Sequence, residues 1–92
     1  MNDECDYSLI VNGDNTGINV KDIREVTLEI TPYHFKVRVR CDIASHVVSD
    51  EISLYRALVI VNSINCQVKT YYETKDLAES YYKWMRFKTE RD

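Results

Sequence analysis

The clearest pattern in the chain is an alternation of apolar and polar residues with period two. Val26, Leu28 and Ile30 alternate with Thr27, Glu29 and Thr31, and Phe35, Val37, Val39 and Cys41 alternate with Lys36, Arg38 and Arg40. That period marks strands with one buried face. Pro32 cannot adopt positive φ, so a tight two-residue turn is disfavoured and a four-residue loop over 31–34 is expected. This loop pairs Ile30 with Phe35, Leu28 with Val37 and Val26 with Val39 on the apolar face. On the other face it pairs Glu29 with Lys36, Thr27 with Arg38 and Glu25 with Arg40. A slip of one residue would bury the charged row, so hydrophobic pattern and charge select the same register. Apolar odd positions persist through Ile43 and Val47, which extends the second strand past Cys41 through a bulge near 44–46.

The remaining elements follow from spacing and punctuation. Residues 7–11 form a short β-prone run, and Asn12, Gly13, Asp14, Asn15, Thr16 and Gly17 read as a loop holding both glycines of the chain. Ser49, Asp50 and Glu51 resemble a helix cap and acidic first turn before Leu54, Ala57, Leu58, Val61 and Ile64, which predicts a helix over 51–63. The β-prone run at 57–61 gives a buried strand as the rival reading. Residues 67–73 alternate as a strand does, and Thr74 is placed to cap a final helix over 75–88. Leu77, Ala78, Tyr81, Trp84, Met85 and Lys88 form its periodic face, with Tyr81 and Trp84 expected on the core side. The fold class is therefore α+β: a small antiparallel sheet built on the 26–41 hairpin, with two helices on one face, in the order β-β-β-α-β-α. Residues 1–6 and 89–92 are expected to fray.

Composition narrows the class. The chain has 92 residues, enough for one domain and one core. Hydrophobic residues make up 45% and charged residues 29%, with two Gly and one Pro, which excludes a low-complexity or disordered chain. The three cysteines, Cys5, Cys41 and Cys66, have no paired spacing, and the N-terminus is acidic. Together these features favour a cytoplasmic protein with reduced thiols over a secreted one. No apolar run reaches the roughly 18 residues a membrane span requires. The net charge of −3 is too small to mark a nucleic-acid mimic.

Candidate chemistry is sparse. His34 and His46 are the only groups that ordinarily titrate near neutrality. His34 falls at the hairpin tip, where exposure is the default, and His46 lies near Cys41, Asp42 and Asp50 without a nucleophile motif around it. Neither CxxC nor HxxxH spacing exists for a metal, the 12–17 loop lacks the downstream Glu of a calcium loop, and no GK[ST] follows a glycine. No cofactor and no catalytic residue is assigned. The basic strand face, Lys36, Arg38 and Arg40 with Tyr33 at its tip, is a nucleic-acid candidate, weakened by the acidic partners across the strand. Tyr71, Tyr82, Lys83, Arg86 and Phe87 combine outward aromatics with cations, the composition of a protein-binding surface. The leading expectation is a non-enzymatic protein-interaction module, of the size and composition of small inhibitors encoded by phages or mobile elements, acting by occlusion of a partner's surface. A small nucleic-acid-binding domain is the alternative. An exposed strand edge also makes pairing with a second copy a natural solution.

Overall fold

The computed structural model describes residues 7–90, with side chains described through Met85. Cys5 and the expected fraying of residues 1–6, 91 and 92 lie outside the described residues. Thr89 and Glu90, expected in the frayed tail, continue the last helix.

The chain opens with a hairpin of strands β1 (Ser8–Val11) and β2 (Asp14–Asn19). Asn12 and Gly13 take φ of 55° and 85°. Two consecutive positive φ values define the turn whose twist matches that of a two-residue hairpin, and Asn-Gly is its preferred sequence. The expected 12–17 loop is thus a turn followed by a polar strand. Gly17, at φ 77°, lies within the irregular stretch of that ladder. A short 3-10 turn (Val20–Asp22) follows, capped by the Asn19 side chain, which accepts from the Lys21 N–H.

Three antiparallel strands come next, β3 (Ile23–Ile30), β4 (Phe35–Cys41) and β5 (Ser45–Glu51), in the order β3-β4-β5. The β3–β4 register is the one expected from sequence, on both the apolar and the charged face. The 31–34 loop is closed by the Thr31 N–H donating to the His34 carbonyl at 2.9 Å, with the Thr31 hydroxyl donating to the same oxygen. The chain does not run on past Cys41 through a bulge. It turns at 42–43, with the Cys41 N–H donating to the Ala44 carbonyl at 2.7 Å, and β5 returns along β4. Ser49, Asp50 and Glu51 therefore belong to a strand and not to a helix start.

A single helix, α1 (Leu54–Glu90), replaces the expected helix, strand and helix. Ser53 caps it: the Ala57 N–H donates to the Ser53 carbonyl, and the Arg56 N–H approaches the Ser53 hydroxyl at 3.5 Å. The β-prone residues Val68, Thr70, Tyr71 and Tyr72 stay helical because no Gly or Pro interrupts 54–90 and helix propensities differ by only about 0.7 kcal/mol per ordinary residue. Packing decides the matter. Ala57, Ile60 and Ile64, buried, and Val61, Val68 and Tyr71, partly buried, form one stripe against the sheet. One core results, in which Leu9, Val20, Val37, Val39, Ala57 and Ile64 are fully buried. Val26, Leu28 and Phe35 pack around its margin.

Candidate functional site

Two surfaces and one cleft place the candidate residues. On the outer face of the three-stranded sheet three arginines are paired with acids. Arg38 donates to the Glu29 carboxylate, the Arg40 Nε donates to Glu25 at 3.0 Å, and Arg24 grips Asp42 with two hydrogen bonds of 2.6 and 2.9 Å. The hydrogen bond from Arg24 holds the Asp42 carboxyl below its ordinary range, and that from Arg38 does the same for Glu29, partial desolvation opposing both. Glu29 sits opposite Lys36 in the ladder yet reaches diagonally to Arg38. At the hairpin tip Tyr33 is 85% exposed, and the His34 Nδ1 lies 2.5 Å from an Asp50 carboxylate oxygen. Arg38 and Arg40 of the basic stripe are thus held in cross-strand ion pairs, Lys36 lies opposite Glu29 and Asp50 in the ladder, and Tyr33 stands clear of them.

The cleft holds about 650 Å³ and is lined by the 16–19 segment, Asp22 and the β4–β5 turn, including Cys41, Asp42 and His46. The Cys41 and His46 neighbourhood seen in sequence is therefore real in space. Its electrostatics oppose a thiol nucleophile. Burial pushes the Cys41 thiol up, and Asp22 and Asp42 push it further, whereas reactive thiols need a cationic setting that favours thiolate. Among the described residues no group of three His, Cys, Asp or Glu side chains is arranged to hold a metal ion.

The third feature is the second half of α1. Tyr71 ends the packed stripe: its ring meets Tyr7 edge-on at 5.2 Å and Tyr72 at 5.1 Å. Tyr71 was expected to look outward and instead faces the domain. Beyond it every residue from Tyr72 to Met85 is exposed. The molecule measures 66 × 25 × 20 Å, its long dimension set by a helix whose 37 residues span about 55 Å. Tyr81 and Trp84, expected on the core side, are 61% and 54% exposed, and Leu77 is 71% exposed. They form a periodic apolar face, as the spacing indicated, and all three residues stay exposed. Tyr81 and Trp84 lie 6.2 Å apart, ring to ring. Tyr82 and Lys83 occupy the same projecting segment and are exposed, while Arg86 and Phe87 lie on its helical backbone with side chains outside the described set. Lys69 and Glu73, one turn apart at 3.9 Å, support the point where the arm leaves the domain.

Comparison with protein-family models, with curated proteins and with solved structures finds no match. Among the described residues no helix is long and apolar enough to cross a membrane.

Proposed function

We propose that this chain is a protein-interaction module whose docking element is the projecting half of α1. The observation that carries the reading is the exposure of Leu77, Tyr81 and Trp84 on a helix that has left its own core. Aromatic and Leu side chains on one helical arc are what an amphipathic helix lays into a partner's groove, and large exposed aromatics concentrate binding energy. The compact sheet and hairpin then act as the base that holds the arm out. Such a device suits a small inhibitor that occludes a partner's surface, the role its size suggests. The basic sheet face is the weaker candidate, because Arg24, Arg38 and Arg40 already hold Asp42, Glu29 and Glu25.

The test is capture from the native cell with the wild-type chain and with the double variant Leu77→Glu, Trp84→Glu. Both positions are exposed, so the base should fold as before, with an unchanged urea midpoint. The variant is expected to lose specific partners that the wild type retains. An identical set of captured proteins would sink the assignment of the arm.

A further inference from the structure

We infer that the arm's own partner is the arm of a second copy, packed antiparallel in a twofold dimer; this rests on reading the arm as a docking surface. The first support is the distribution of side chains in the heptad frame that puts Leu77 and Trp84 at d and Tyr81 at a. In that frame Ala78 and Met85 fall at e and Ser80 at g, whereas Lys75, Asp76, Glu79 and Lys83 fall at b, c and f. From Thr74 to Met85 no charge touches the a, d, e and g positions, the ones a helix buries against another helix.

The second support is charge. Residues 73–82 carry Glu73, Asp76 and Glu79 against Lys75, a net of −2, and residues 83–90 carry Lys83, Arg86 and Lys88 against Glu90, a net of +2. Most of these charges stand at the outer b, c and f positions, so they act over distance and not as contacts: an antiparallel pair sets each acidic half beside the other copy's basic half, and the two helix dipoles oppose. A parallel pair would stack acid on acid and base on base. A twofold axis makes the same patch serve both partners, so a self-complementary strip is the expected signature. With the axis crossing near residues 82 and 83, Tyr81 sits in a layer with Trp84 of the second copy, Leu77 takes the register position opposite Lys88, which bounds the uncharged strip, and the small Ala78 flanks Met85.

The third support is size. The exposed parts of Leu77, Ala78, Tyr81, Trp84 and Met85 come to roughly 500 Å² an arm, so two arms supply on the order of 1,000 Å², where specific interfaces begin. An interface of that size belongs with the small, reversible ones.

Sedimentation equilibrium of the purified full chain, from about 1 µM to about 500 µM, tests this. The expected mass rises from 10.8 kDa to twice that value, and Leu77→Glu with Trp84→Glu holds it at the monomer while leaving the urea midpoint of the base unchanged. A monomer at every concentration, or a double variant that still dimerises, overturns the pairing. Orientation is read by a short bismaleimide on Tyr81→Cys and Thr74→Cys chains, with the wild type controlling for native thiols. In the antiparallel pair the two Thr74 positions stand about 26 Å apart along the axis, so only Tyr81→Cys should cross-link; equal cross-linking of both overturns it. A monomeric chain that still binds another protein through the arm would refute the dimer and leave the docking reading standing.

Discussion

At the residue scale, Gln67 shows how the first hairpin is tied to the helix. Its side-chain amide accepts from the Ile10 N–H at 2.9 Å and donates to the Ile10 carbonyl at 2.7 Å, so a side chain on α1 plays the part of a neighbouring strand for β1. Gln67→Ala should therefore lower stability by about 1 kcal/mol, the net worth of hydrogen bonds at a half-exposed site. A urea midpoint unchanged from wild type would show that the clamp is idle. The ion pairs of the sheet make a second claim at this scale. Glu29 and Asp42 have folded pKa values below their ordinary 4.5 and 3.8. A carboxyl with a depressed folded value stabilises the fold fully above its unfolded pKa and loses that contribution as pH falls through it. Stability should thus decline on acidification below about pH 4.5, and Glu29→Gln with Asp42→Asn should flatten that limb of a urea-midpoint profile. The cysteines give a third. Cys66 is exposed on α1, whereas Cys41 is half-buried with its thiol pKa raised. Mass-resolved alkylation at pH 8 should modify Cys66 well before Cys41; the reverse order would mean that the β4–β5 turn holds a reactive thiol.

At the element scale, the legible parts were those in which one pattern carried the whole signal. The β3–β4 hairpin was readable in register because Val26, Leu28, Val37 and Val39 needed one face and Glu25, Glu29, Arg38 and Arg40 the other. The first hairpin was only half legible. Asn12-Gly13 is a strong turn signal, but β2, with Ile18 as its one apolar residue among Asp, Asn, Thr and Gly, offers no alternation to mark it as a strand. Its turn can be tested directly. Gly13 has open space where a Cβ would go, so Gly13→Ala is penalised only by its φ of +85°. The expected loss is about 1 kcal/mol by thermal or urea unfolding, and a neutral result would mean that the turn is not held in this form. The break expected in α1 was misread for a related reason. Residues 67–73 alternate as a strand does, and Thr74 resembles a cap, yet neither Gly nor Pro stands there to stop a helix already docked through Ile60 and Ile64. Tertiary packing outweighed local preference.

At the scale of the whole molecule, that single continuous helix changes what the aromatic residues do. Two short helices would have folded Tyr81 and Trp84 back onto the sheet, where they were expected to fill the core. One helix carries them outward, and residues that read as core become the exposed face of an arm. The sequence held the periodicity of this face but not its destination, because the direction of a helix after residue 72 depends on the missing break and not on the residues of the face. The buried core includes none of them: Leu9, Val20, Val37 and Val39 meet Ala57, Ile60 and Ile64 from the first part of the helix. Under the proposed function this exposed arm serves recognition, and the compact base supports it. The Cys41 and His46 cleft, by contrast, was visible as sequence proximity, and its acidic surroundings argue against the thiol chemistry that proximity alone would suggest.

The most direct check on the arm as the binding element is site-specific photo-cross-linking in the native cell, with benzoylphenylalanine at Tyr81 in the apolar face and at Asp76 on the opposite side. Discrete protein adducts from position 81, with few or none from position 76, are expected. Equal labelling from both positions, or adducts from neither, would contradict the assignment of the projecting half of α1 to protein recognition.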